Sequence, residues 1–289
     1  MTIKYLVLSG GGPNGLYQLG SIKKLSESYI SIKNIEHICC TSIGTFISIL
    51  ICLNIELIDI ENYCINKPWI KSFIKYTNDI LELDNEKGFI KHEFIRDSLE
   101  SFYKSKGIDI NITFKDFYKI SNVKLSFYCI KLSDFSIHEL SHETTPDMPV
   151  ILGCLASCSI PPILGPIEYD GEYYIDGGFI NNHPINSCLS KGYNKDEIIG
   201  LQTSHIKNGY NISETDTFPH YLMNILGNIL MKTMTDDKQQ KIKHNFKFNT
   251  EYEASNFILW NKFANDVDFR KKMIKEGYEQ TGEMLKYLE

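Results

Sequence analysis

Arginine is nearly absent: Arg96 and Arg270 are the only two among 30 lysines and arginines. There is no basic surplus either, because 36 acidic residues leave a net charge of −6. A chain that grips nucleic acid carries excess positive charge, so that class is set aside first. We read the scarcity of arginine beside plentiful lysine, isoleucine and asparagine as composition rather than chemistry. None of the eight cysteines belongs to a C-x-x-C pair. No secretory leader opens the sequence, so the thiols are expected to be reduced and mostly buried, in a cytoplasmic protein. No apolar run reaches the roughly 20 residues that cross a bilayer. The longest, IGTFISILICLNIELI from Ile43, is interrupted by Ser48, Asn54 and Glu56 and reads as a buried helix. No repeat, low-complexity tract or linker stands out. With 289 residues there is room for an ample core, and one domain spanning 1–289 is expected.

What is present is an alternation of short apolar runs with helical spacing. Residues 3–9 (IKYLVLS) predict a buried parallel strand. Residues 13–29 carry Leu16, Leu19, Ile22, Leu25 and Tyr29 on one helical face. HICCT at 37–41 predicts a second strand, and 43–64 a helix. Strand, glycine turn, helix, strand, tight turn, helix is the opening of an α/β fold, a mainly parallel sheet sandwiched by helices. Residues 65–120 read as a helical insertion or cap. Strands are expected at 123–131 and 135–140, a short buried helix at 149–158, and a hairpin about Asp170-Gly171. A short helix at 184–191 and a strand at 197–203 follow, and the tail from about 217 to 289 reads as a helical extension.

Two turns carry the chemistry. The first is GGGPNG at 10–15. Consecutive glycines clear the backbone for a close approach, by a phosphate, an oxyanion or another part of the protein. The second is CTSIG at 40–44, between a strand and a helix, the setting of a G-x-S-x-G elbow. Gly44 satisfies that pattern; Cys40, also small, replaces its first glycine. Ser42 reads either as a nucleophile or as the N-cap of the following helix. A serine nucleophile needs backbone N–H donors aimed at the developing oxyanion, and a glycine run at a neighbouring strand end can supply them.

Taken together, the turns resemble the patatin-like phospholipase family, whose signature is a glycine-rich loop, a serine elbow some thirty residues on, and a later D-G-G/A motif. Here these are GGGPNG, CTSIG and DGG at 176–178. ASCSIPP at 156–162 and NNHP at 181–184 also match, in family order, so the resemblance covers about residues 3–203. It implies a Ser–Asp dyad, with Ser42 as nucleophile and Asp176 as the base acting directly on it. It implies an oxyanion hole from the backbone around Gly10, Gly11 and Gly12, with the Ile43 N–H, and an acyl-enzyme intermediate. Gly15 would allow close packing; Gly177 and Gly178 would let the Asp176 loop come near. The implied substrate is a phospholipid or lysophospholipid, with neither cofactor nor metal. Asn14 stands where the family has Arg or Lys, and Cys40 where it has glycine. A lipid-binding relative without turnover is the alternative that these departures leave.

Three rival readings stand beside this one. Gly10-x-Gly12-x-x-Gly15 is also a dinucleotide fingerprint, but its acidic partner belongs at the end of the second strand. Glu36 instead precedes that strand. HELSH at 138–142 matches the zinc motif H-E-x-x-H, which needs a helix, whereas the residues before it alternate like a strand. His183, His205, His220 or His244 could complete a Ser-His-Asp triad. Finally, Trp69, Ile70, Phe73 and Ile74 beside Lys67, Lys71 and Lys75 read either as a cap helix or as a peripheral contact with a membrane surface.

Overall fold

The computed structural model describes residues 2–78, 83–205, 221, 225, 240–252, 254 and 256–288. The first strand, β1 (Tyr5–Leu8), leads through the glycine loop into α1 (Gly15–Ser28). Strand β2 (His37–Thr41) leads through the elbow into α2 (Ile43–Cys52). Both strands are buried along their whole length. Their side chains alternate between two cores: Leu6, Leu8, Ile38 and Cys40 face the larger, Tyr5, Val7 and Cys39 the smaller. This two-sided burial explains why both read as continuous apolar runs rather than alternating ones.

The expected single helix over 43–64 is two helices. Asn54 adopts φ 53°, and the Ile55 N–H reaches back to the Leu50 carbonyl, a left-handed helix stop. The chain then forms α3 (Leu57–Asn66), α4 (Trp69–Tyr76), the short α5 (Leu83–Glu86), α6 (Glu93–Ser105) and α7 (Phe114–Ser121). Strands β3 (Lys124–Lys131) and β4 (Ser136–Ser141), helix α8 (Val150–Cys158), and the hairpin β5 (Ile167–Tyr169) and β6 (Glu172–Asp176) follow. The hairpin turns at Asp170 (φ 52°) and Gly171 (φ 75°), the positive pair that an Asp-Gly turn supplies.

After α9 (Gly178–Asn181) and α10 (Ile185–Leu189) comes β7 (Ile198–His205). The tail is not all helical. It contains β8 (His244–Thr250), an edge strand parallel to β7, before α11 (Phe257–Asn265) and α12 (Val267–Leu285). The expected helical stretch between 217 and 239 lies almost wholly outside the described residues. The sheet order is β5-β6-β3-β2-β1-β7-β8, with β4 on the other edge of β3. Its centre, β3-β2-β1-β7-β8, is parallel; β4, β5 and β6 pair antiparallel.

The register along β3 positions the elbow and the DGG turn. β2 pairs with β3 up to Thr41↔Tyr128. β6 takes over the same edge of β3, beginning at Cys129↔Asp176, and runs the opposite way. The two strands therefore meet end to end. Their last residues, Thr41 and Asp176, oppose neighbouring residues of β3, about one 3.3 Å strand step apart.

Candidate active site

Ser42 follows Thr41 directly and turns the chain from β2 into α2 with φ 52° and ψ −125°. A non-glycine residue there costs about 1–3 kcal/mol and persists only where its surroundings impose it. Those surroundings are identifiable. The Ser42 N–H donates to Ser157 Oγ at 2.9 Å, and Ser157 Oγ donates to the Tyr128 carbonyl at 2.6 Å. The Ser42 carbonyl accepts from Thr45 Oγ1 at 2.7 Å and from the Thr45 N–H at 2.8 Å. Gly44 is required, since a Cβ would sit 2.8 Å from both the carbonyl oxygen and the Cβ of Leu8. The Ser42 side chain makes no capping bond to α2, which removes the N-cap reading. Cys40 fits without a glycine because its thiol turns into the core and donates to Ser48 Oγ at 3.4 Å. Burial pushes that thiol well above its ordinary pKa, so Cys40 is inert packing.

Ser157→Ala would leave the Ser42 N–H and the Tyr128 carbonyl unpaired in the interior. The expected loss is about 1–3 kcal/mol of stability, read by thermal unfolding, with a fall in activity as the elbow loosens.

Asp176 ends β6 and is buried. Its Oδ1 accepts the Gly178 N–H at 2.6 Å. Oδ2 has no partner of hydrogen-bonding geometry among the described residues. The Ser42 hydroxyl nevertheless lies close enough to pull the carboxyl pKa down, as does the Gly178 N–H. Desolvation outweighs both and raises that pKa to about 7. Gly177 lies against the backbone of β3, where a Cβ would strike the Tyr128 carbonyl. A Cβ on Gly178 would come within 2.9 Å of Asp176 Oδ1.

The glycine loop lies over the elbow: a Cβ on Gly10 would be 3.1 Å from Ser42 Cβ. Gly10 departs from expectation as a donor, because its N–H is occupied by the Asn182 carbonyl at 3.0 Å. It supplies closeness, and the N–H groups that no described residue accepts are those of Gly11, Gly12 and Ile43. The last two open helical turns, where N–H groups lack intrahelical partners. Gly15 packs directly on Ile43, where a Cβ would meet Cγ1 at 2.5 Å. Asn14 is buried and donates through Nδ2 to the Tyr252 carbonyl at 3.0 Å, so a neutral amide occupies this position without a counter-charge.

From Ser42 an apolar cavity of about 120 Å³ extends between α1, α2, α4, α6 and α11. Ile43, Phe46, Leu50, Phe94 and Trp260 are among its walls, which are carbon almost throughout. Trp69 also lines it, buried with its indole N–H on the Cys64 carbonyl, so it does not reach a lipid surface. The exposed face of α4 carries Ile70 and Ile74 instead.

The rival constellations disperse. Glu36 stands at the amino end of β2, pairing with Lys4 at 3.6 Å, opposite the glycine loop. His138 and Glu139 are consecutive on strand β4, and Glu139 is held by Lys191 at 2.7 Å and Ser126 at 2.6 Å. His142 stacks on Tyr118. His244 opens β8 at the amino end of the sheet and bonds Tyr29 through Nδ1 at 2.7 Å. The His183 ring rests on Gly200 of β7. His220 and the side chain of His205 lie outside the described residues. Four supporting residues carried no clear local signal: Thr45, Ser157, Asn182 and Trp260. Ser157 and Asn182 fall inside the ASCSIPP and NNHP segments, but Trp260 falls in none.

Comparison with known proteins bears on the family of the chain. A model of the patatin-like phospholipase family matches residues 6–189. A probable lipid hydrolase of Invertebrate iridescent virus 6 is 32% identical over 231 residues, 77% of this chain and 73% of that protein. A lysophospholipase NTE1 of Kluyveromyces lactis is 28% identical over 193 residues, 65% of this chain but only 12% of that protein. Among solved structures, VipD from Legionella pneumophila has a TM-score of 0.61 over 99% of this chain and 67% of that one. Its 17% identity speaks to the fold alone. The chain belongs to the patatin-like phospholipase family, a family of lipid acyl hydrolases.

Proposed function

We propose that this chain releases fatty acids from phospholipids or lysophospholipids through a Ser42–Asp176 dyad. The observation that carries the reading is the head-on arrival of β2 and β6 on one edge of β3, with Ser42 lining an apolar cavity. Asp176 takes the hydroxyl proton as Ser42 Oγ attacks the ester carbonyl. The N–H groups of Gly11, Gly12 and Ile43 hold the tetrahedral oxyanion. Collapse breaks the ester C–O bond, and Asp176 returns its proton to the leaving alcohol. Asp176 then deprotonates a water that attacks the acyl-enzyme, and returns that proton to Ser42 Oγ as the acyl C–O bond breaks, freeing the acid and restoring the serine. The cavity receives the acyl chain, and burial of its methylenes holds the carbonyl at Ser42. The α4 face with Ile70, Ile74, Lys71 and Lys75 suits peripheral contact with an anionic lipid surface. No described helix is long and apolar enough to cross a membrane.

A base works only when ionised. With the Asp176 carboxyl raised to about 7, kcat/KM is expected to fall about tenfold per unit as pH drops below that value and to level off above it. A pH–rate profile on a soluble ester checks this; an acid limb near pH 4 would point to a solvent-exposed carboxylate. For the substrate class, defined phosphatidylcholine and lysophosphatidylcholine are incubated with wild type and Ser42→Ala, and free fatty acid is measured by mass spectrometry. Release from either lipid that disappears in Ser42→Ala is expected. No release from both contradicts the proposal.

A further inference from the structure

Trp260 lies outside the stretch matched by the family, on α11, yet it touches both halves of the site. Its indole forms part of the cavity wall together with Ser42. The same ring covers Gly12: a Cβ there would meet Trp260 Cζ2 at 2.9 Å. Gly12 has φ 52°, a turn that glycine adopts without cost and that nothing in its own side chain can stiffen. The ring itself is held by two contacts, and its helix by a cap. Its Nε1–H donates to the Ala254 carbonyl at 2.7 Å. Phe73 of α4 meets it edge to face at 5.9 Å, and Phe73 packs on the cavity residue Phe94 at 4.5 Å. The start of α11 is fixed by Asn256, whose side chain accepts the Ile258 N–H at 2.8 Å. The Asn14–Tyr252 bond ties the glycine loop to the same C-terminal segment.

We infer that Trp260 is a positioning and specificity residue: its ring sets the orientation of the Gly12 N–H and forms the wall against which the first acyl methylenes pack. The inference rests on Ser42 being the nucleophile. A rigid ring over a glycine turn holds a donor where a tetrahedral oxygen forms, and misplacement by about 1 Å costs on the order of 10²-fold in rate. The ring is also an apolar part of the cavity wall that Ser42 shares, so its removal widens the cavity.

The test compares wild type, Trp260→Ala, Trp260→Phe and Ser42→Ala on butyrate and laurate esters of p-nitrophenol. In Trp260→Ala we expect kcat on butyrate to fall about tenfold or more with KM nearly unchanged, the mark of a lost transition-state interaction. The laurate-to-butyrate ratio of kcat/KM should also shrink several-fold. Trp260→Phe, which keeps an aromatic ring over Gly12, should recover most of kcat. If Trp260→Ala does not fold, Trp260→Phe is compared with Trp260→Leu, and the aromatic variant should retain the higher kcat on butyrate. Unchanged kcat and chain-length ratio overturn the inference, as does a uniform loss that Trp260→Phe does not relieve. Hydrolysis that persists in Ser42→Ala overturns the nucleophile and this inference with it, a failure distinct from one seen only in the Trp260 variants.

Discussion

Asp176→Asn is expected to lower ester hydrolysis by about 10³-fold and, above pH 7, to make the protein more stable than wild type. Both effects come from the same burial. The carboxyl lies in the interior with one N–H donor on Oδ1 and the Ser42 hydroxyl nearby, too little to offset the loss of water. Its pKa accordingly rises from 3.8 to about 7. A raised carboxyl pKa means that the folded protein binds more protons than the unfolded chain between those two values. Stability contributed by neutral Asp176 is complete below about pH 4 and is lost as pH rises through about 7. The loss is on the order of a few kcal/mol at pH 8. Asparagine is nearly isosteric, keeps an oxygen for the Gly178 N–H and carries no charge to bury. Thermal unfolding followed from pH 5 to 8 should show wild type losing ground to the variant as the base becomes competent. Parallel curves would mean that burial does not strain the carboxylate, and wild-type turnover in the variant would mean that it is not the base.

Ser42 should show a second dissociation of activity from stability. Ser42→Ala is expected to reduce turnover by about 10⁴-fold or more, because removing a nucleophile leaves only binding and oxyanion contacts. It should leave stability close to wild type, since alanine inherits the same left-handed turn. Ser42→Gly should be equally inactive and about 1 kcal/mol more stable, because glycine adopts φ 52° without strain. Chemical denaturation of the three proteins checks the order. A glycine variant less stable than alanine would show that the turn is not strained.

The sequence revealed the parts of the site more fully than their meeting. β1 and β2 were legible because both faces are buried, and α1 because its apolar residues repeat at helical spacing. The Asp170-Gly171 turn was legible from its φ requirements. The stop at Asn54 is not legible, because the apolar run continues past it to Ile55, Leu57 and Ile58 and hides a left-handed residue. Strand β8 buries His244, Phe246, Phe248 and Thr250 in strict alternation, but with only two large apolar side chains among them the pattern is faint beside the helical stretches of the tail. Ser42 and Asp176 could be named from local motifs, but the strand register that brings them together is a long-range property of β3. No local pattern encodes it. Gly10 was expected to be a donor because its motif invites that role, and only the Asn182 carbonyl shows otherwise. Trp260 gave no signal at all, since a tryptophan in an amphipathic tail reads as ordinary core.

The most direct measurement is covalent labelling with a long-chain alkyl fluorophosphonate, followed by intact mass and peptide mapping. The expected result is a single phosphonyl adduct on the Ser42 peptide of wild type, formed much more slowly in Asp176→Asn and absent from Ser42→Ala. An adduct on another residue, or labelling undiminished in Ser42→Ala, would contradict the account.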